Sequence, residues 1–314
     1  MRNKDYPWVK EYLISGLHYY QNYDFKFEER KTIMVGESGL GKTKILHLLY
    51  LTLTCRWIAL SKQQFDFISI TFSNGNDFNF SKGELEFFVL SSGSETELIT
   101  KNEKKRVKNL FEQIEKIIKT CIPGKVIYFP VYRNLIDDFG LIGKDYEQTH
   151  FSSEFGITEF VEASAIEKDI LIPTTLSSIF TNASFGTSVK LQTVVDTCNI
   201  YLQGIILKLT TKNIVKIINK FTEEVVDLDQ LSAGEKQLIY FFFKCACSNK
   251  KGTYILFDEP ELSLPMEWQR RLLNDLASVT KCHFMLAITH SPFIFDNEFD
   301  QFTSGINTYK FHAT

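Results

Sequence analysis

The octet GESGLGKT, residues 36–43, fits the spacing G-x-x-x-x-G-K-[ST]. Glycines at these places let the chain curl until successive backbone N–H groups face inward and form a nest for an anion. A helix opening directly afterwards adds the partial positive charge of its N-terminus. Gly36, Glu37, Ser38, Gly39, Leu40 and Gly41 would wrap the phosphates of a nucleotide, Lys42 would reach the β- and γ-phosphates, and Thr43 would hold Mg2+. The plainer reading is a glycine-rich turn between a strand and a helix. Against it stand all four fixed positions and both flanks.

Two carboxylates form the second group. The run TYILF (253–257) is short and continuously apolar, as a strand buried on both faces requires, and Asp258 and Glu259 follow at its C-terminal end. In open α/β sheets that edge is where ligands bind. Asp258 would hold the metal, and Glu259 would orient or deprotonate an attacking water, which is most of what phosphoryl transfer asks of a protein. Alone, the pair would be equally consistent with solvated caps before Pro260. A further strand, HFMLAI, ends at THSP and places His290 at the same edge, within reach of a γ-phosphate or the water.

The third group is LSAGE, residues 231–235. Ser232 with Glu235 three places on reads as a capping box at a helix start. Gly234 is out of place there, because a helix disfavours glycine. Its presence implies that something comes close to that backbone.

Around these groups the periodicities predict two strands and a turn over 12–36 and a helix over 42–60. Residues 65–99 read as a small antiparallel sheet with a hairpin at Asn74-Gly75. Then come a charged amphipathic helix over 101–119, a buried strand over 125–130 and one or two helices over 189–220. Helices over 233–247 and 266–279 flank the strand that carries Asp258.

The 314 residues are 44% apolar and 23% charged, enough for one large domain or two modest ones, and a formal charge of −3 excludes a protein that coats nucleic acid by bulk charge. Six scattered cysteines, with no C-x-x-C pair, fit reduced thiols in a cytoplasm. The N-terminus lacks the apolar core of a signal peptide, and the longest apolar run, LIYFFFKCAC, is too short to span a bilayer, so no membrane partner is expected. The 28 phenylalanines read as core.

Taken in order, the glycine loop, LSAGE, DEPELSL and THSP resemble the head of an ABC-type ATPase. GESGLGKT is similar to the GENGSGKS form of the SMC, RecF and OLD-like branch. LSAGEKQLIYFF, FDEPELSLP…WQRRLL and ITHSPFIF resemble the OLD-like ATPases of bacterial defence operons, among them those of the Septu, PARIS and retron systems. VIYFPVYRNLID (126–137) resembles a YLPTYRR segment of some of these proteins. Ser38 stands where the branch carries asparagine, Pro265 stands where it carries histidine, and the Q-loop glutamine has no clear counterpart, Gln63 and Gln64 lying too early.

The resemblance implies an α/β P-loop NTPase head over 1–100 and 225–314, joined by the strand at 125–133. It also implies a small antiparallel β subdomain and a mainly helical insertion over 101–224. ATP and Mg2+ are the implied cofactors, with hydrolysis the implied reaction. Two copies are expected to stack head to tail, so that Ser232, Ala233, Gly234 and Glu235 of one close over the ATP held by the other. A side chain at 234 would then obstruct the approach to phosphate. Only 24 residues follow His290, so no nuclease domain of the OLD type is expected there, and an effector such as a nuclease is expected on a separate polypeptide. Lys208, Lys212, Lys216 and Lys220, at i, i+4 spacing, are expected on one helical face, and Lys101, Lys104, Lys105, Arg106 and Lys108 on another. Nucleic acid, an acidic partner and plain solvent are all open as what these faces meet, and Arg133 is open between phosphate, a partner head and solvent.

Overall fold

The computed structural model describes residues 6–18, 21–37, 39–91, 101–131, 191–210, 215–247 and 250–311. Ser38, Arg133, Lys212 and the greater part of the expected insertion, 132–190, lie outside the described residues. The chain divides into two compact units, the first holding 1–130, 250–260 and 281–314, the second 131–249 and 261–280.

The first unit contains a five-stranded parallel sheet. Its order is β11 (Thr303–Gly305), β3 (Lys31–Val35), β10 (Cys282–Thr289), β9 (Thr253–Asp258) and β6 (Val126–Phe129), every neighbour running parallel. All six residues of β9 are buried, which is why its sequence shows no alternation. Because β3, β10 and β9 are adjacent and parallel, their C-terminal ends share one edge. That edge carries residue 36, residue 290 and residue 258 respectively.

A second sheet of the same unit is antiparallel. It runs β12 (Lys310–Phe311), β2 (Gln21–Lys26), β1 (Val9–Leu17), β4 (Phe67–Phe72) and β5 (Asp77–Ser81). It is larger than the subdomain expected over 65–99, because the N-terminal strands join it. Asn74-Gly75 does make the hairpin: Gly75 has φ 84°, and Asn76 N–H is held by the Asn74 side chain at 3.1 Å. Many of the described phenylalanines are core, Phe25 and Phe27 forming a stacked row with Tyr23 along β2 and past its end, with centroids 5.5 and 6.2 Å apart, whereas Phe221 is exposed.

The helices of the first unit depart from expectation in three places. The segment 42–60 is two helices, α1 (Lys42–Leu53) and α2 (Trp57–Ser61), interrupted where Cys55 takes φ 55°. Residues 82–91, which ELEFFVL predicts as a strand, form helix α3 (Lys82–Ser91). A capping box starts it: Ser81 N–H donates to Glu84 Oε2 at 3.0 Å, and Glu84 N–H donates to Ser81 Oγ at 3.3 Å. Helix α4 (Lys101–Cys121) forms as expected but belongs to the first unit rather than to an insertion. Its apolar stripe is buried there, Phe111 stacking on Phe88 at 4.4 Å and meeting Trp57 edge-on at 5.0 Å.

The second unit holds α5 (Leu191–Tyr201), a hairpin of β7 (Ile205–Leu209) and β8 (Val215–Asn219), α6 (Ala233–Cys247) and α7 (Met266–Val279). The helical reading of 189–220 is therefore right only to Tyr201. Beyond it, Ile205, Leu207, Val215 and Ile217 alternate inward with period two, and the Asn199 side chain pairs with both N–H and C=O of Leu207, as a neighbouring strand would. The Tyr201 hydroxyl donates to Asp275 at 2.6 Å, joining α5 to α7.

Candidate functional site

The first unit assembles the glycine loop, Asp258, Glu259 and His290 on one sheet edge. From β3 the loop runs to Gly41, which takes the left-handed conformation (φ 73°) as the residue before α1. Its N-cap residue offers α1 no side-chain bond, and the first turn contains no acid, so the helix start is left open to an anion from outside. Gly39 also has positive φ, 86°, and a Cβ there would meet no atom within 4 Å, so its backbone angle rather than crowding demands glycine. Gly36 is the opposite case: a Cβ would lie 2.3 Å from Ile306 Cγ2. The Lys42 ammonium lies buried and donates to the carbonyls of Gly36 and Glu37 at 2.8 and 2.6 Å, so it spans the curl of the loop.

Asp258 is 2% exposed at the end of β9. The Tyr128 hydroxyl, from β6, donates to its Oδ2 at 3.5 Å, and Oδ1 has no hydrogen-bond partner among the described residues. Burial pushes this carboxyl up to about 7, and the neighbouring Glu259 carboxylate adds to the rise; the Thr43 hydroxyl, the Lys42 charge and the Tyr128 hydroxyl pull the other way. A buried carboxylate oxygen without a partner is costly unless a cation or donor meets it. With the Thr43 hydroxyl beside it, this donor set fits a hard divalent ion such as Mg2+, which takes oxygen ligands and retains water. His47, one turn along α1 from Thr43, is kept neutral, its pKa lowered to about 4 by burial and by the charges of Lys44 and Arg56.

Glu259 occupies the left-handed region, φ 48°, unusual for a residue with a side chain. Its own N–H continues the sheet pattern by donating to Ile288 O at 2.8 Å. His290 Nε2 lies 3.2 Å from Glu259 Oε1, the acid being 13% and the imidazole 34% exposed. Acid and histidine are thus paired at the mouth of the edge, with the more exposed member able to meet a ligand.

The second unit holds the LSAGE segment. Ser232 and Glu235 form the expected capping box: Ser232 N–H and Oγ–H both donate to Glu235 Oε2, at 2.9 and 2.7 Å, and Glu235 N–H returns to Ser232 Oγ at 3.3 Å. Gly234 has a nearer reason than an incoming phosphate. A Cβ there would stand 2.4 Å from the backbone carbonyl of Ser263, itself in a left-handed turn at φ 64°. That turn is fastened by Gln269, whose amide donates to Leu264 O at 2.8 Å and Glu261 O at 3.4 Å.

The structure corrects the expected lysine face. Lys208 and Lys216 do not sit on a helix; they are directly opposed partners across the β7–β8 hairpin, both exposed. Lys220 follows the hairpin and donates to Leu202 O at 2.5 Å. Two residues were missed by sequence reasoning. Tyr128 lies 130 positions from its partner, with no local signal beyond the end of an apolar strand. Gln269 sits within the WQRRLL segment, where no neighbouring residue marks its amide as the fastening of a turn.

Residues 143–296, a stretch just short of half the chain, match the family described as "AAA domain, putative AbiEii toxin, Type IV TA system". The match takes in the LSAGE, Asp258 and His290 segments and begins after the glycine loop. No curated protein sequence matches the chain. Solved structures of similar shape include an SMC head bound to the C-winged helix domain of ScpA (13% identity, 92% of this chain and 91% of that one, TM-score 0.47). Another is the SMC head domain from Thermotoga maritima (12%, 95% and 94%, TM-score 0.45). A third is an SMC head with an extended coiled coil, bound to the C-terminal domain of ScpA derived from Pyrococcus furiosus (12%, 92% and 91%, TM-score 0.41). Among the described residues no helix is long and apolar enough to cross a membrane, and no group of three or more His, Cys, Asp or Glu is placed to hold a metal.

Proposed function

We propose that this chain binds ATP with Mg2+ and hydrolyses it as an ABC-type head, pairing head to tail with a second copy and using that cycle to control a separate effector such as a nuclease, in anti-phage defence. One observation carries the nucleotide part. An uncapped helix start behind a glycine curl, with Lys42 across it, lies beside a buried carboxylate whose Oδ1 has no partner among the described residues. The Glu259–His290 pair at the same edge supports hydrolysis, since a carboxylate and an imidazole suffice to orient and deprotonate water. The defence setting draws on the wording of the motifs and on the toxin–antitoxin description of the matching family. Pairing draws on the LSAGE resemblance alone, because the glycine within it is explained by its own neighbour.

Phosphate release with and without Mg2+, measured on the wild type and on Glu259→Gln, tests the enzyme. The expected result is unchanged nucleotide binding and a rate lowered by about 100-fold or more; a loss of only about threefold would reject the role given to Glu259. Negligible turnover by the wild type would leave a nucleotide-locked scaffold. In the same preparations, ATP-dependent pairing is read by sedimentation, with Ser232→Arg expected to abolish it. A RecF-like clamp on DNA is the second reading, and the outward, directly opposed Lys208 and Lys216 favour it, since like charges across a hairpin are stabilised by an anion between them. Duplex binding that weakens steeply with salt and with Lys208→Glu and Lys216→Glu is what it requires.

A further inference from the structure

A carboxylate that meets a cation through one oxygen has a two-fold choice, because rotation about its last bond exchanges Oδ1 and Oδ2. A donor fixed behind one oxygen removes that choice. Tyr128 has the placement for this. It lies on β6, in register with Leu256 of β9, two residues before Asp258, and its hydroxyl donates to Oδ2 while Oδ1 is left without a partner among the described residues. Its ring is held from the other side by α1, stacked on His47 with centroids 6.1 Å apart and tilted against Tyr50 at 5.3 Å. Thr43, His47 and Tyr50 fall at i, i+4 and i+7, one face of the helix that the glycine loop begins. The same tyrosine thus touches the carboxylate on the sheet and the helix that carries the Thr43 hydroxyl.

We propose that Tyr128 is a positioning residue of the metal site: its hydroxyl holds Asp258 Oδ2 and its ring sets the spacing to α1, so that Asp258 Oδ1 and the Thr43 hydroxyl are presented together to the divalent ion that accompanies the nucleotide. The proposal rests on the nucleotide reading given above and goes beyond it in assigning a residue outside the glycine loop and the carboxylate pair.

Tyr128→Phe removes the hydroxyl and retains the ring contacts with His47 and Tyr50. Binding of a fluorescent ATP analogue is titrated at graded Mg2+ and again in EDTA, and bound Mn2+ is counted by electron paramagnetic resonance in the presence of nucleotide. The expected result is a half-saturating metal concentration raised about 3- to 10-fold, the size of one ordinary hydrogen bond lost, as suits a contact as long as 3.5 Å, with metal-free nucleotide affinity unchanged. A variant whose metal dependence equals that of the wild type would overturn the assignment. So would an equal loss with and without metal, which would make Tyr128 a packing residue only. Wild-type protein that binds nucleotide no better with Mg2+ than without would overturn the metal site itself, and that failure is visible before any variant is made.

Discussion

Two helix starts in this molecule bear the sequence marks of phosphate binding, and they are built in opposite ways. Helix α1 opens from a left-handed glycine with no side-chain cap and no acid in its first turn. Helix α6 opens with two of its donors, the N–H groups of Ser232 and Glu235, held within its own capping box, and with a carboxylate in the first turn. The first leaves its partial positive charge to a ligand; the second spends it on itself. On the proposed reading, an anion at α1 displaces the Lys42 contacts with the loop carbonyls, whereas an anion brought to α6 meets a resident carboxylate. On the same reading, α1 is the site in its own right, and α6 is a surface that completes one supplied by another copy.

The contrast breaks most readily at Lys42. Lys42→Met removes the charge that spans the loop and is expected to weaken nucleotide binding by at least about 100-fold, measured calorimetrically, while leaving thermal stability nearly unchanged. Gly234→Ala probes the other start. With a backbone carbonyl 2.4 Å from the new methyl, it is expected to cost about 2 kcal/mol of stability in denaturant unfolding, with intrinsic nucleotide affinity retained. If stability were unchanged, the glycine would have to answer to something outside its own unit. Smallest is Ser232→Ala, expected to cost about 1 kcal/mol through the lost cap. A comparable loss is expected for Ser81→Ala, and no loss there would mean that the Ser81–Glu84 bonds do not hold the start of α3.

What was legible in the sequence was what neighbouring residues decide. The loop at 36–43, the strand ending in Asp258 and the cap at 232–235 are each complete within a few positions, and the described residues of all three take the form their types dictate. Misreadings arise where two local signals disagree. ELEFFVL alternates like a strand, yet Ser81 and Glu84 cap a helix there, the same device as at 232–235. Between 205 and 219 the lysine spacing suggests a helix, but the inward alternation of Ile205, Leu207, Val215 and Ile217 prevails because the hairpin buries them. Tyr128 and the Ser263 carbonyl were out of reach for a different reason: their partners are distant in sequence and meet only once the sheets and helices have packed.

The contact between Gly234 and Ser263 also bears on how such chains drift. If the chain handles nucleotides as proposed, a descendant that had ceased to do so would be free to replace Lys42, yet it would keep a glycine at 234, because the carbonyl pressed against it would still exclude every other residue. Persistence of that position across related genes would then be a record of shape rather than of activity, and the lysine would be the better witness to a living enzyme.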